Sequence, residues 1–208
     1  MLTATVFMIP AFILFSGKSS KNSSNTETQK YETLFKKGNF EIRHYPPAVM
    51  ASVKMQGTYD SMKNPGFNLL AGYIFGGNSE NKKISMTTPV RIKEDKEAGR
   101  MSFIMPPEFT VDKLPKPNNK QILLHKTEPA YVASLQFGGY SNNKKIESKK
   151  EMLKQQLAEM SIEHTGNFEY LGYSAPYKML NRRNEVLVYL KNFNPDRLKI
   201  IGPRIDEA

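Results

Sequence analysis

The feature of this sequence that most constrains its fold is an internal repeat. The segment PAVMASV at 47–53 reads against PAYVASL at 129–135. Each copy is followed by a glycine and then an aromatic residue, which are Gly57 and Tyr59 in the first copy and Gly139 and Tyr140 in the second. A pattern that occurs twice indicates two copies of one supersecondary unit, each of which needs the other to bury its apolar face.

The repeat continues further along the chain. ISMTTPVR at 84–91 reads against LGYSAPYK at 171–178, and each segment leads into a short β-like run, at 101–105 and at 185–190. A helical pattern precedes each segment, and it is longer in the second copy. The repeated unit is therefore strand, helix, strand, strand, with the longer helix expected in the second copy.

Both predicted helices carry end signals and an apolar stripe. In the first, Asn64 before Pro65 is typical of an N-cap followed by a proline at the first helical position, and Gly76 ends the helix after about three turns. In the second, Asn142 or Asn143 provides the cap. The residues that share the stripe are Phe67, Leu70, Ala71 and Ile74 in the first helix and Ile146, Leu153, Leu157 and Met160 in the second.

Strand patterns flank both helices. Runs rich in β-branched and aromatic residues, interrupted by Gly or Pro, lie at 31–35, 40–44, 49–55 and 131–137. Two such units predict an α+β domain with a largely antiparallel sheet, which two helices either cover on one side or flank as a distorted barrel. A cleft between the pseudo-symmetric halves is the expected place for a ligand.

Composition and missing motifs narrow the function classes. The formal net charge is +10, but the lysines come in scattered pairs without zinc-finger spacing or an RNP-type aromatic motif, so we expect no nucleic-acid partner. The sequence has no cysteine, which excludes disulfides, thiolate nucleophiles and Cys-ligated zinc. It also lacks a nucleophile elbow, a phosphate loop and HExxH. These absences favour a protein that is not an enzyme.

Residues 1–17 predict an export signal or an N-terminal anchor. The apolar run at 2–15 is shorter than the roughly 20 residues that a membrane helix needs, and it contains Pro10. The positive residues that usually precede a signal sequence are missing, so a cleaved signal and an uncleaved membrane anchor both stay open. Either places the protein in the periplasm or on the outward face of a membrane. Residues 18–30 then read as a polar linker, 31–191 as the folded domain and 192–208 as a C-terminal tail.

His44 is the histidine whose position suggests a ligand-binding role. Alternation along its strand puts Phe40, Ile42 and His44 on one side, so that an imidazole ends an apolar stripe. It is either a half-buried histidine bonded to a backbone carbonyl or an axial ligand of a heme iron, and the pattern does not choose between these roles. His125 and His164 read as surface or structural residues.

Four ordered segments resemble the SOUL heme-binding protein family. They are FEIRHYPPA at 40–48, KISMTTPV at 83–90, QFGGY at 136–140 and NRRNEV at 181–186. Together they span nearly the whole predicted domain. The resemblance implies a distorted antiparallel barrel flanked by two long helices, built from a duplicated unit, and non-covalent binding of heme or a metal-free porphyrin.

The resemblance also implies site residues. His44 matches a histidine proposed as the axial iron ligand in one branch of the family, whereas another branch holds heme by apolar contacts. Lys178 matches a basic residue suggested to meet a propionate. On the first helix, the side chains expected to contact the ring are Phe67, Leu70, Tyr73 and Ile74. The stretch FNLLAGY at 67–73 offers no equivalent of the basic residues that some members place near the propionates.

The sequence thus predicts a tetrapyrrole carrier or buffer without catalytic residues. Two alternatives stay open, which are a protein that binds another small amphipathic ligand, as effector-binding domains of related fold do, and an enzyme on the same scaffold. Association with a membrane is expected only through the N-terminal segment. Arg182, Arg183 and Glu185 are interpreted as an Arg–Glu pair that stabilises a turn rather than as ligand contacts.

Overall fold

The computed structural model describes residues 26–95, 99–174 and 180–198, in which two helices pack against one face of a nine-stranded antiparallel sheet. The elements in chain order are β1 Glu27–Thr28, β2 Glu32–Lys37, β3 Phe40–Tyr45, β4 Val49–Lys54, α1 Tyr59–Ile74, β5 Thr87–Thr88, β6 Val90–Lys93, β7 Arg100–Ile104, β8 Ile122–Lys126, β9 Ala130–Phe137, α2 Asn143–Glu159, β10 His164–Gly172 and β11 Asn184–Leu190. The short strands β1 and β5 form a separate parallel pair.

The order of the strands shows the duplication. Across the large sheet it is β2-β3-β9-β11-β10-β6-β7-β4-β8. The unit β4-α1-β6-β7 corresponds to β9-α2-β10-β11, and the two units meet where β10 pairs with β6. In addition, β3 pairs with β9 of the second unit, while β8 pairs with β4 of the first. The predicted α+β class and its repeated unit are confirmed, and each half completes the sheet of the other.

The large sheet is open. Within the described part of the chain β2 pairs only with β3, and β8 pairs only with β4, so the predicted distorted barrel does not close by hydrogen bonding between these two strands. Both edges carry exposed lysines, which are Lys36 and Lys37 on β2 and Lys126 on β8. Charged side chains on edge strands oppose pairing with further strands.

Helix α1 begins earlier than the Asn-Pro pattern predicts. Thr58 is the N-cap, and its backbone N–H donates to the Ser61 hydroxyl at 3.0 Å. Pro65 therefore lies inside the helix, where the carbonyl of Ser61 goes without its usual i+4 donor. The prediction was wrong here because an Asn-Pro pair is typical of a helix start. In this helix Thr58 and Ser61, which come earlier in the chain, already form a capping box at the first turn. The other end agrees with the prediction, since Phe75 is the C-cap.

Helix α2 agrees with its sequence pattern. The Asn142 side chain accepts a hydrogen bond from the Lys145 backbone N–H at 2.9 Å, so Asn142 is the N-cap. Ile146, Leu153 and Leu157 are fully buried on one stripe. The helix has 17 residues against 16 in α1, which agrees with the expectation that the second copy carries the longer helix.

The two helix starts are tied together across the pseudo-twofold axis. The Asp60 backbone N–H donates to Asn143 Oδ1, and the Asn143 N–H donates to Asp60 Oδ2, each at 3.0 Å. Glu94 adds a second link, because it accepts from the backbone N–H of Tyr59 and from the ammonium of the buried Lys150. Each helix thus satisfies one orphan N–H group of the other, and the Glu94 carboxylate satisfies a further one at the start of α1.

Both ends of the predicted domain extend further than expected. Residues 27–28, predicted as linker, form β1, and the Gln29 N–H donates to the Thr88 carbonyl at 2.8 Å. In the predicted tail, Phe193 packs against Tyr131 and Leu198 is buried. Backbone pairing and apolar contact order these segments, which their polar composition does not indicate. The predicted signal or anchor at 1–17 lies outside the described residues.

Candidate functional site

The structure places most of the predicted ring-contacting residues of α1 in the core. Leu70, Tyr73 and Ile74 are at most 1% exposed, and the Tyr73 hydroxyl donates to the Pro115 carbonyl at 3.0 Å. Phe67 is half-buried, and its ring packs edge-on against Phe103 with centroids 5.3 Å apart. Of these four side chains, Phe67 has exposed surface that a ligand can contact. Ligand binding by these residues stays a prediction.

His44 lies on the helix-covered face at the end of β3. The half-buried imidazole stacks on Tyr131, with ring centroids 4.9 Å apart, and Tyr131 contacts Phe193 in turn. The predicted apolar stripe is present, because Phe40 and Ile42 are buried on the same face. His44 and Phe67 therefore contact different parts of the sheet, one at β9 and the other at β7. Lys178, the predicted propionate partner, lies outside the described residues.

An apolar cavity of about 570 Å³ lies beside the β1–β5 pair. We call it the apolar cavity. Its lining is dominated by proline, aliphatic and aromatic side chains: Pro46, Pro47, Val49, Ile104, Met105, Pro106, Pro107, Phe109 and Val111. Lys30, Lys126, Glu27 and Asp112 supply the charges around it. Its volume falls within the roughly 300–1,000 Å³ of small-molecule sites, and its apolar walls with a few polar groups fit that class.

The face of the sheet that the helices leave uncovered carries a buried charge cluster around Glu185. This carboxylate is fully buried, and Arg43 binds it in a bidentate arrangement with N···O distances of 2.6 and 3.1 Å. Arg183 adds a contact of 2.6 Å, and the hydroxyls of Ser134 and Tyr173 donate at 2.9 and 3.1 Å. Every oxygen of Glu185 is thus occupied by the protein itself, so the cluster stabilises the sheet and leaves no group for a ligand.

The electrostatics agree with that role. Burial alone would raise the pKa of the Glu185 carboxyl, but hydrogen bonds and charge from Arg43 and then Arg183 outweigh it, so the pKa lies below its ordinary value. Arg182 lies over the ring of Tyr140, with its guanidinium carbon 4.7 Å from the centroid. The structural interpretation of Arg183 and Glu185 therefore agrees with the geometry.

A second cavity of about 420 Å³ opens on the same uncovered face. We call it the cationic cleft, because Arg91, Lys93 and Arg100 line it together with His125, Glu169 and Tyr189. Arg91 and Glu169 are both buried, with Arg91 Nε 2.8 Å from Glu169 Oε2. His125 Nε2 lies 2.9 Å from the Ser52 hydroxyl, which is 2.7 Å from that of Ser102.

His125 is the cleft residue whose role the sequence interpretation missed. It is half-buried, and desolvation is the largest cause that lowers its pKa, with the charge of Arg100 acting in the same direction. The repeat offered a signal, since His125 occupies in the second copy the position that Arg43 occupies in the first, four residues before the matching Pro-Ala pairs at 47–48 and 129–130. For the apolar cavity, the signal was the pair of Pro-Pro dipeptides at 46–47 and 106–107.

Comparison with known proteins identifies the family. A model of the SOUL heme-binding protein family matches residues 26–189. The chain belongs to this family. Heme-binding protein 2 of Homo sapiens is 32% identical over 164 residues, which cover 74% of this chain and 80% of that protein. Heme-binding protein 1 of Xenopus laevis is 27% identical over 161 residues and is covered to 84% of its length.

Solved structures show the same fold in more distant proteins. The C-terminal domain of EcmrR aligns with a TM-score of 0.55 at 9% identity, covering 74% of this SOUL-family chain and 98% of that domain. A hydrolase from Listeria innocua aligns with a TM-score of 0.53 at 9% identity, covering 92% of that chain. At this identity the likeness concerns the fold alone. None of the helices in the described ranges is both long enough and apolar enough to traverse a membrane.

Proposed function

We propose that this SOUL-family protein binds a tetrapyrrole non-covalently, as a carrier or buffer, and that it performs no catalysis. The apolar cavity is the observation that carries the proposal, because a porphyrin ring needs a large apolar surface to leave water. Family membership supports the same ligand, since relatives about 30% identical are named heme-binding proteins. When bound, heme would supply an iron atom that a protein side chain can coordinate.

Charge is expected to contribute little to the affinity in the apolar cavity. Lys30 and Lys126 offer ammonium groups for the two propionates, but Glu27 and Asp112 line the same cavity. Because these acids offset the lysines, apolar burial supplies most of the binding free energy. We therefore expect modest affinity for hemin and a weak dependence on salt.

The iron ligand is a separate part of the proposal. His44 has a half-buried imidazole at the end of an apolar stripe, next to Tyr131, which suits a neutral axial ligand. Pro46 of the apolar cavity follows two residues later on the chain. His44 itself does not line that cavity, so iron ligation by His44 would need hemin to extend past Pro46 toward the end of β3.

Titration of the purified protein with hemin and with metal-free protoporphyrin, followed by absorbance, tests the function. We expect both ligands to bind at micromolar protein. If neither spectrum changes, the tetrapyrrole proposal is wrong, and another small amphipathic ligand of the apolar cavity takes its place.

Matched substitutions test the location. Val111 lines the apolar cavity and is 38% exposed, so Val111→Asp should weaken both ligands without unfolding the protein. Met152 on α2 is 41% exposed and outside the cavity, so Met152→Asp is the control with the same change of charge. If Phe67→Ser weakens binding while Val111→Asp does not, the ring lies on α1, as the family resemblance implies.

A further inference from the structure

The cationic cleft has two walls of different chemistry. Arg91, Lys93 and Arg100 stand on one side, and Pro129, Ala130 and Val132 provide an apolar side. The volume of about 420 Å³ holds a small molecule rather than an ion alone. An occupant that satisfies both walls carries an anionic group at one end and an apolar body at the other.

The cations of the cleft are not all neutralised by the protein. Arg91 is compensated by Glu169, but its Nε–H is not aligned for a hydrogen bond to that carboxylate and finds no other acceptor among the described residues. Lys93 lies 3.9 Å from Asp95, at the limit of an ion pair. Arg100 makes no ion pair with any residue that the structure describes. The cleft is therefore lined by Lys93, Arg100 and the unused N–H of Arg91. Its lining contains one acid besides Glu169, which is Glu128.

From this arrangement we infer that the cationic cleft is a second binding site, which takes a small amphipathic anion bearing a carboxylate or a comparable oxyanion. Lys93 and Arg100 supply the charge, and Arg91 supplies hydrogen-bond donors at the base, where Tyr189 is hydrogen-bonded to both Arg91 and Glu169 at 3.3 Å. Guanidinium groups bind planar oxyanions well because several N–H groups point in fixed directions. This site shares only Gln29 with the lining of the apolar cavity, and it does not depend on tetrapyrrole binding.

His125 lines the cleft and lies close enough to Arg100 to sense its charge. Desolvation is the largest cause that lowers the pKa of this imidazole, a backbone hydrogen bond with Lys126 opposes it, and the charge of Arg100 acts in the lowering direction. The imidazole therefore reports on the cleft. The chain has three histidines, and neither His44 nor His164 lines this cavity.

The first test uses the unmodified full chain. Sodium benzoate and its uncharged analogue benzyl alcohol are titrated while the imidazole signals are followed by proton–carbon NMR. We expect benzoate to shift the His125 signal in a saturable manner with little change at His44 and His164, and we expect no saturable shift with benzyl alcohol. Equal shifts with both molecules, or no shift at His125, would overturn the inference.

The second test separates charge from apolar contact. The double variant Lys93→Gln with Arg100→Gln should weaken binding of 8-anilinonaphthalene-1-sulfonate about tenfold, as expected for loss of two charge-assisted contacts at a partly exposed site. Binding of the uncharged N-phenyl-1-naphthylamine should change little. A control pair, Lys120→Gln with Lys144→Gln, removes the same charge from exposed positions outside the cleft.

Three outcomes would contradict the inference in this second test. The first is that the sulfonate probe binds as weakly to the control variant as to the cleft variant, and the second is that the cleft variant loses the uncharged probe to the same extent. The third is that the cleft variant binds the sulfonate probe as tightly as the wild type does. If the cleft variant does not fold, the benzoate titration decides alone. The hemin titration is repeated in the cleft variant, and unchanged hemin binding there shows that failure of one site leaves the other site intact.

Discussion

Among its single residues, the protein has charges that are buried and paired inside the sheet. Arg43 is 1% exposed and Glu185 is 0% exposed, and they meet at 2.6 Å although 142 positions separate them. Such pairs contribute little net free energy when intact, because desolvation offsets their attraction, but they are costly to break from one side. The Glu185 cluster is therefore where single substitutions should matter most.

Glu185→Gln should lower the free energy of unfolding by roughly 3–5 kcal/mol, because it leaves the buried Arg43 without its anion. Chemical denaturation measures this loss. Glu41→Gln is the control, since Glu41 also contacts Arg43 at 2.7 Å but is partly exposed and shared with Lys36. We expect the control to cost about 1 kcal/mol or less. Similar losses in both variants would contradict the central role of Glu185.

The same carboxylate makes stability depend on pH. The pKa of Glu185 is lowered in the folded state, so the unfolded chain binds its proton more readily and the stabilisation is complete above the ordinary glutamate value of 4.5. It is lost as the pH falls through the folded-state pKa. Denaturation curves between pH 7 and pH 3 should therefore show a steeper acid loss in the wild type than in Glu185→Gln. Parallel curves would show that other carboxylates dominate.

His44 separates iron ligation from a structural role. If the imidazole binds iron, His44→Ala changes the absorption spectrum of bound hemin and weakens hemin, but it leaves metal-free protoporphyrin almost unchanged because that ring has no metal. We expect the spectrum to change and the binding of hemin alone to weaken, because the half-buried imidazole lies beside Tyr131 at the end of an apolar stripe. If both ligands weaken equally and the melting temperature falls, the histidine acts through its ring contact at 4.9 Å instead.

At the scale of secondary-structure elements, the junction of the two helix starts joins the repeated units. Glu94 follows β6, accepts the Tyr59 N–H at the start of α1 and pairs with Lys150 of α2. Burial alone would lower the pKa of Lys150, but the hydrogen bonds that its ammonium donates to Glu147 and Glu94 raise the pKa overall. One carboxylate thereby connects both helices to the centre of the sheet, where β6 and β10 meet.

Glu94→Gln should destabilise the protein by about 1–3 kcal/mol, since the buried Lys150 loses a charged acceptor and α1 loses a strong cap. Thermal and chemical denaturation check this value. Glu151→Gln is the matched control, because its pair with Lys154 is exposed and should contribute less than about 0.5 kcal/mol. A loss no larger than that of the control would show that the two helices dock by apolar packing alone.

At the scale of the whole molecule, two cavities lie at different places on one duplicated sheet. The apolar cavity is lined on one side by residues 27–30, and the cationic cleft lies on the uncovered face, where residues of strands β6 to β11 line it. The two share Gln29 in their linings. The N-terminal segment therefore affects the shape of both sites.

Two truncated chains test this segment. One begins at Thr26 and keeps β1, and the other begins at Tyr31 and loses it. We expect both to unfold cooperatively, because the core of Leu70, Ile146 and Leu187 does not involve residues 26–30. Hemin should bind less tightly to the shorter chain, which lacks one wall of the apolar cavity. Loss of cooperative unfolding in the shorter chain would place β1 in the core, and equal hemin binding would exclude this wall from the site.

Local sequence patterns were enough to predict the repeated unit, the α+β class, the strands around 40–44 and 131–137, and the apolar stripe and N-cap of α2. These properties are local, because capping, periodicity and β-propensity act within a few residues. The resemblance to the SOUL family was also available from short ordered segments.

Tertiary contacts, which local patterns do not predict, set which of the predicted residues face solvent and which partners the charged side chains find. Leu70 and Ile74 share an apolar stripe with Phe67, yet tertiary packing buries the first two and leaves Phe67 half-buried against Phe103. Arg43 meets Glu185, and His125 meets Ser52, because strands distant in sequence pair in the sheet. The periodicity of a sequence predicts which side chains share one face of a helix or strand. It does not predict what packs against that face, because burial depends on neighbours that are distant in sequence.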